Sequence, residues 1–297
     1  MPLTVFGSTF LDFASRIGAG SRLRLAPTPS GYLHAGNACN FVLNWMAARL
    51  YPGKVQLLLR IDDLDAERKR PEYVQDVFDT LNWLGLDWDE GPRNVPDFEA
   101  NWSQHQRIPL YEQALSQLRE ADLLFACGKS RRDLAPFDGG YPPEFRNQQL
   151  SLDQKDVSWR IRTPEGLALP DFVVRRRDGL PAYQIASLAD DHFFGVSHII
   201  RGDDLRNSSE AQLFLAHCLA WPDMERLQVL HHPLLLNERQ EKLSKSAGAA
   251  SLRSLREAGG DPAIIFKQVA GLLGLPATDE IPTAGALLSL EVHALFR

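Results

Sequence analysis

The sequence predicts an α/β fold built on a buried parallel sheet, and three stretches carry that prediction. Arg22–Ala26 is a short strand pattern cut off by Pro27, which has no N–H to give a sheet ladder. From Ala38 to Tyr51, the residues Phe41, Val42, Trp45, Met46 and Leu50 recur at helical spacing, with Asn37 about where that helix begins. After Gly53, the run VQLLLRI (Val55–Ile61) is continuously apolar, as strands covered on both faces of a parallel sheet are. Strand, loop, helix and strand make a βαβ unit whose loop is PTPSGYLHAGN.

The rest of the chain is read in order. RIDDLD ends the second strand, so Asp62, Asp63 and Asp65 emerge at its carboxyl end, the edge where open α/β sheets take ligands. A helix is expected over Pro71–Leu84, with Pro71 suited to its first position. GLDWDEGP is a turn-rich link, and Arg107–Ala121 is helical in pattern. From Leu123 to about Leu180 strands shorten while prolines and charges gather, the texture of an inserted α+β subdomain. Within it ALPDFVVRRRDGLPAYQ predicts a strand, a turn at Asp178-Gly179 and a return strand. Helical patterning resumes near Ile185. HIIRGDDL (His198–Leu205) is a strand with charge at its end, Ser208–Ala220 a helix, and VLHHPLLL an apolar strand. NERQEKLSKSAGAAS is a polar loop, and beyond Ser251 the pattern is helical, with Asp261 and Pro262 as cap and first-turn pair. The expected organisation is an N-terminal extension or packed helix over 1–20 and a sheet domain in two halves, 21–122 and 181–240. An insertion over 123–180 divides those halves, and a helical region over 241–297 follows.

Composition narrows the functional classes. With 297 residues, 44% hydrophobic and 24% charged, the chain suits one large or two joined globular domains. A net charge of -6 argues against a general nucleic-acid binder held by bulk electrostatics, leaving local basic runs at Lys129–Arg132 and Arg175–Arg177. The three cysteines, Cys39, Cys127 and Cys218, form no CxxC pair, which fits a reduced, cytoplasmic setting. No apolar run is long enough to cross a membrane, and the N-terminus, with Asp12 and no basic leader, is a poor signal peptide.

Two motifs carry chemistry. A glycine-bearing loop between a strand end and a helix N-terminus suits close approach of a phosphate chain, and His34 and Asn37 can donate to it. Far downstream, KLSKS (Lys242–Ser246) offers lysines able to neutralise a departing pyrophosphate. Alone, each is equally a plain turn or an exposed loop. Together, in this order on a parallel α/β scaffold, they resemble the class I aminoacyl-tRNA synthetases. HAGN is similar to the HIGH signature and KLSKS to KMSKS, while RLRLAPTPSGYLHAGN, RIDDLD, YQIASLADD and IIRGDDL resemble the glutamyl and glutaminyl branch, from about Arg22 to about Leu275. Only a short helical tail follows KLSKS, with no length for an anticodon-binding domain. In that the sequence resembles the truncated glutamyl-queuosine tRNA(Asp) synthetases.

The resemblance implies a Rossmann-like catalytic domain that activates glutamate with ATP and Mg²⁺ and transfers it to queuosine in tRNA(Asp). It implies ATP contacts at Pro27, His34, Gly36, Asn37, Lys242, Ser244 and Lys245, with His34, Asn37, Lys242 and Lys245 stabilising charge on the triphosphate. It implies glutamate contacts at Arg24, Thr28, Asp62, Tyr183 and Arg201; Asp62 stands where the family has glutamate. Arg201 suits the substrate's side-chain carboxylate, since that pairing is planar and bidentate. The insertion, with Arg131, Arg132, Arg175, Arg176 and Arg177, would wall a tRNA groove. The family's zinc set of Cys-x-Cys, tyrosine and a later cysteine becomes Cys127, Lys129, Tyr141 and, near the last position, Phe145. No structural zinc is expected from one thiolate and one phenol. Plainer readings stand beside these. Arg24 could end a strand in solvent, Asp62 and Asp63 could be surface partners of Arg60 or Arg68, and Arg201 could bridge to Asp203. Tyr183 could be an ordinary half-buried aromatic, and Cys127 a small apolar residue. Competing functions are a minimal glutamyl-tRNA synthetase charging the tRNA 3′ end and an adenylate-forming ligase with a non-tRNA acceptor. A non-catalytic nucleotide- or tRNA-binding regulator is the third, and His34 and both KLSKS lysines argue against it.

Overall fold

The computed structural model describes residues 4–51, 53–137, 141–234, 251–275 and 281–295, without the side chains of Arg131 and of 291–295. In chain order the elements are α1 (Val5–Ser15), β1 (Arg22–Leu25), α2 (Ala35–Arg49), β2 (Gln56–Leu59), α3 (Pro71–Trp83), α4 (Val95–Asp97) and α5 (Ile108–Glu120). There follow β3 (Leu124–Cys127), α6 (Arg131–Leu134), β4 (Ser158–Ile161), β5 (Val173–Arg175), α7 (Tyr183–Phe193), β6 (His198–Gly202) and α8 (Arg206–Cys218). The last are α9 (Pro222–Glu225), β7 (Gln228–His232), α10 (Leu252–Glu257), α11 (Ala263–Leu273) and α12 (Ala284–Leu295). The chain divides into two compact units: residues 1–104, 196–204 and 227–297 form the first, 105–195 and 205–226 the second.

The first unit holds the parallel strands. β1 pairs with β2, in register from Arg22↔Gln56 to Leu25↔Leu59, and β6 with β7, from His198↔Gln228 to Gly202↔His232. Ser197 links the pairs: its N–H donates to the Arg22 carbonyl at 3.0 Å, and its hydroxyl accepts from the Arg22 N–H at 2.9 Å. The ladder runs on past the predicted proline stop. Arg60 N–H donates to the Leu25 carbonyl (2.8 Å) and Asp62 N–H to the Pro27 carbonyl (2.9 Å), because proline lacks a donor but keeps its acceptor.

Alternate strand residues Leu23, Leu25, Leu57, Leu59, Ile200 and Leu230 share one core with α2, which explains the apolar runs. Side chains alternate across a strand, so Arg24, Leu58 and Arg201 point to the opposite face. One polar side chain fixes the helix on the sheet. Asn44, fully buried in α2, donates to the Ile200 carbonyl (3.0 Å) and accepts the Ile200 N–H (3.4 Å), and Asn40 donates to the same carbonyl at 3.0 Å. The N-terminal segment is a packed helix. α1 lies on α11 so closely that a Cβ at Gly7 would stand 2.0 Å from the Leu273 carbonyl oxygen.

The second unit is built on an antiparallel sheet in the order β3-β4-β5. The return strand expected after Asp178-Gly179 shrinks to a single bridge, Arg175↔Pro181, closed by Ala182 N–H to the Val174 carbonyl and Arg176 N–H to the Leu180 carbonyl, both at 2.8 Å, because α7 starts at Tyr183. The insertion read at 123–180 lies wholly in this unit, together with α5 and α7. Those two helices meet at Asp190, which is fully buried. Arg107 grips it through Nε at 2.7 Å and Nη2 at 3.0 Å, and the Tyr111 hydroxyl donates to it at 2.7 Å. Among the described residues no helix is long and apolar enough to cross a membrane.

Candidate active site

The loop after β1 is built around the start of α2. Sequence spacing puts the helix start near Asn37, but the chain turns helical earlier and His34 is the N-cap. Its Nδ1 accepts the Gly36 N–H at 3.1 Å, while the Asn37 Oδ1 accepts the His34 N–H at 3.1 Å. This is a capping box made of an imidazole and an amide. Because Nδ1 accepts, the neutral ring carries its proton on Nε2, and Asn37 keeps its donors on Nδ2. Both side chains therefore serve the helix with an acceptor and keep donor chemistry beside a helix N-terminus.

Leu33, just before the cap, is held at both backbone groups. Its N–H donates to Asp76 Oδ2 of α3 at 2.8 Å, and its carbonyl accepts the Leu252 N–H at 2.8 Å. Asp76 is itself bound by Arg256 of α10 at 2.7 Å, and Arg256 also donates to Thr80 at 2.7 Å. Sequence reasoning missed this clamp; its one signal is Asp76 and Thr80, polar at i and i+4 on an otherwise apolar helix face. Lys242, Ser244 and Lys245 lie outside the described residues. The chain on either side is fixed: it leaves β7 through Leu234 and returns at Ser251, one residue before the bond to Leu33.

At the carboxyl ends of the strands, Arg24 and Arg201 are each 4% exposed, so Arg24 does not end in solvent. Asp62 does pair with Arg60, at 2.6 and 3.0 Å, but both are buried, which corrects the surface-pair alternative. Asp63 is an anchor. Its carboxylate takes the Ser103 hydroxyl and the Gln104 N–H, both at 2.7 Å, and Lys69 at 3.1 Å. Asp65 meets exposed Arg68 at 3.2 Å. Pro27 is buried, Thr28 exposed, and Gly36 half-buried. The first unit thus carries Arg24, Pro27, Thr28, His34, Gly36, Asn37, Asp62 and Arg201 on its strand ends and the loops that leave them. Tyr183 belongs to the second unit, as the first residue of α7, 41% exposed.

The positions of the expected zinc set come together, but the residues there hold one another and do not fit the ion. The Tyr141 hydroxyl lies 3.2 Å from Cys127 Sγ and 3.1 Å from the Phe145 carbonyl. Gln148 donates to that hydroxyl at 2.9 Å and to that carbonyl at 2.7 Å. Lys129 sits over the Phe145 ring at 4.8 Å, and Arg160 over Tyr141 at 4.2 Å. Burial raises the Cys127 thiol, but hydrogen bonds from Tyr141 and its neighbours outweigh it and leave the thiol below its usual range. The RRR run is no uniform basic patch. Arg175 stacks on Trp159 at 4.7 Å, Arg176 pairs with Asp178 at 2.5 Å, and Arg177 donates to the Gly128 carbonyl at 2.5 Å. Arg132 is exposed, and the Arg131 side chain lies outside the description.

Known proteins resemble the chain in sequence and in fold. The family described as tRNA synthetases class I (E and Q), catalytic domain, matches residues 21–135 and 148–284. A glutamyl-Q tRNA(Asp) synthetase of Nitratidesulfovibrio vulgaris is 36% identical over 89% of this chain and 89% of its own length. A glutamate–tRNA ligase 2 of Syntrophus aciditrophicus is 34% identical over 85% of this chain and 57% of its own length. A crystal structure of a glutamate-tRNA synthetase from Elizabethkingia anophelis has a TM-score of 0.73 at 24% identity. It covers 91% of this chain and 66% of its own length, a likeness that speaks for the fold. With strand-end arginines, an imidazole-capped helix and a family match across most of its length, the chain belongs to the class I tRNA synthetases of the glutamyl and glutaminyl (E and Q) kind.

Proposed function

We propose that the protein activates glutamate with ATP and transfers it to queuosine in tRNA(Asp). The observation that carries this is the Leu252–Leu33 hydrogen bond. It ties Leu252, six residues past the end of KLSKS in sequence, to the residue before His34, which supports a reading in which the two motifs serve one site. The glutamyl-Q tRNA(Asp) synthetase relative, matched over nearly its whole length, supports the choice of acceptor.

In this reading the α-carboxylate of glutamate attacks the α-phosphorus of ATP, giving glutamyl-adenylate and pyrophosphate. No protein nucleophile is needed; alignment and charge stabilisation suffice. Arg24 and Arg201 hold the amino acid's carboxylates, with Thr28 and Asp62 as further contacts. Asp62 is shorter than the family's glutamate and already bound to Arg60, so the substrate ammonium meets it through the remaining lone pairs or a water. His34 Nε2–H and Asn37 Nδ2–H donate to phosphate oxygens, the backbone at Pro27 and Gly36 lets the triphosphate approach, and Lys242, Ser244 and Lys245 meet the leaving pyrophosphate. Mg²⁺ would accompany the ATP phosphates as part of the substrate. A hydroxyl on the queuosine ring then attacks the mixed anhydride. The three unpaired cysteines are consistent with cytoplasmic work.

The test is ATP–pyrophosphate exchange with glutamate, followed by labelled glutamate and total tRNA from cells able and unable to make queuosine. Label only on the queuosine-containing pool is the expected result. Label on both pools means charging at the 3′ end. Exchange without tRNA labelling means another acceptor, and no exchange with any amino acid refutes the reading.

A further inference from the structure

β7 ends in a buried imidazole that nothing above employs. His232 is 4% exposed, and its Nδ1 lies 2.9 Å from the Pro233 carbonyl oxygen. A carbonyl only accepts, so Nδ1 carries the ring proton and Nε2 presents a lone pair. That Nε2 is buried and has no hydrogen-bond partner among the described residues. Burial pushes the imidazole below its usual pKa range against the pull of Pro233, Asp204 and Asp203, so the ring stays neutral at pH 7. The nearby carboxylates cannot meet an acceptor, being acceptors themselves. A buried acceptor left unmet is costly, and its presence in a folded chain calls for an explanation.

Its place in the fold says where a donor would come from. His232 pairs in register with Gly202, the residue after Arg201, at the carboxyl ends of the parallel strands. Its side chain lies on the same face as Leu230, the face that packs under α2. Between two parallel strands α2 runs back against their direction, so its N-terminus overlies the strand ends. Asn40 fixes the second turn of α2 on Ile200. The first turn, with Gly36 and Asn37, then reaches about 5 Å further, toward Gly202 and His232. A Cβ at position 202 would stand 2.5 Å from Asp204 Oδ1, so a side chain there would displace that carboxylate. The other orphaned imidazole of the unit, His198, lies at the amino end of β6 against Phe13, away from this edge.

We propose that Nε2 of His232 accepts a hydrogen bond from a donor group of the bound nucleotide, either a ribose hydroxyl or the 6-amino group of adenine. This deepens the adenylate-forming reading above and rests on it. The residue reads the nucleoside, while the His34 loop and the lysines handle the phosphates.

The test uses the full chain with His232→Leu and His232→Gln, since the glutamine Oε1 falls near the position of Nε2 and restores an acceptor. ATP binding is measured by calorimetry, and KM for ATP and for glutamate by pyrophosphate exchange. The Leu variant should weaken ATP binding and raise KM for ATP roughly tenfold while leaving KM for glutamate alone. Its thermal midpoint without ligand should be unchanged or higher, because an unmet polar atom has gone. The Gln variant should recover most of the affinity. With 2′-deoxyATP, 3′-deoxyATP and purine riboside triphosphate, the analogue whose weaker binding is not worsened by His232→Leu identifies the donor. Equal ATP binding by wild type and the Leu variant overturns the inference and leaves the proposed function standing. So does a loss that is the same for every analogue and not rescued by Gln, which would mark a packing role. A wild-type protein that binds no ATP sinks both.

Discussion

Asp76→Asn tests whether the His34 loop is set by its clamp. The carboxylate accepts the Leu33 N–H on one oxygen and the Arg256 guanidinium on the other, and it is 2% exposed. An asparagine can still accept from Leu33, but then its NH₂ faces the guanidinium, donor against donor. One charge-assisted bond is lost, worth about 1.5–3 kcal/mol. Arg256 keeps Thr80 as an acceptor, which limits the damage. The expected destabilisation is roughly 3 kcal/mol, and Asp76→Ala, which strands the Leu33 N–H as well, should cost about 4–5 kcal/mol. In urea unfolding, the Asn variant should lower the midpoint by about 1 M. Because the loop carries His34, pyrophosphate exchange should fall on the order of 100-fold even in the folded protein, the usual cost of misplacing a reacting group by about 1 Å. Adding Arg256→Met removes the opposed donors and should recover at least about 1 kcal/mol. If the Asn variant unfolds at the parent's midpoint and exchanges at the parent's rate, the clamp has no part in shaping the loop.

Three other outcomes are expected. Replacing Lys129 and Phe145 together with cysteine should create a zinc site with Cys127 and Tyr141, seen as one tightly held zinc per chain and a raised melting temperature. A double variant that takes up no zinc would mean that the four positions do not converge as described. Arg175→Ala with Arg177→Ala should weaken tRNA binding and flatten its dependence on salt, whereas Arg176→Ala, whose partner is Asp178, should do less; equal slopes for all three refute a tRNA wall here. Burial depresses the pKa of both His198 and His232, so the unfolded chain takes up these protons first, near pH 6.5. Their contribution to stability is full above that pH and lost as pH falls toward the folded values. The urea midpoint should drop between pH 7.5 and 5.5, His232→Leu should shrink that drop, and a flat or rising midpoint would contradict the assignment.

Much of this was legible from sequence because the physics was local. The apolar run at Val55–Ile61 was typical of a doubly covered strand, and Pro71 marked the first position of α3. The candidate residues Arg24, His34, Asn37 and Arg201 were found through motif order, which a single chain preserves. Illegible were the partnerships between distant positions. Nothing near Asp63 in sequence announces Ser103, nor does anything near Leu33 announce Asp76, Leu252 and Arg256. The start of α2 lies two residues before Asn37, because periodicity counts apolar side chains and the helix opens on a polar box of His34 and Asn37. The return strand stopped at one bridge because the chain turns helical at Tyr183, two residues past Pro181.

The bond between Leu252 and Leu33 also bears on what a break in the backbone would do. The stretch from Ser251 onward is fastened to the earlier chain by Arg256 on α3 and by α11 against α2. A cut made between Leu234 and Ser251 would therefore give two fragments that stay associated and copurify. Activity would suffer all the same, since the lysines would then be attached at one side only.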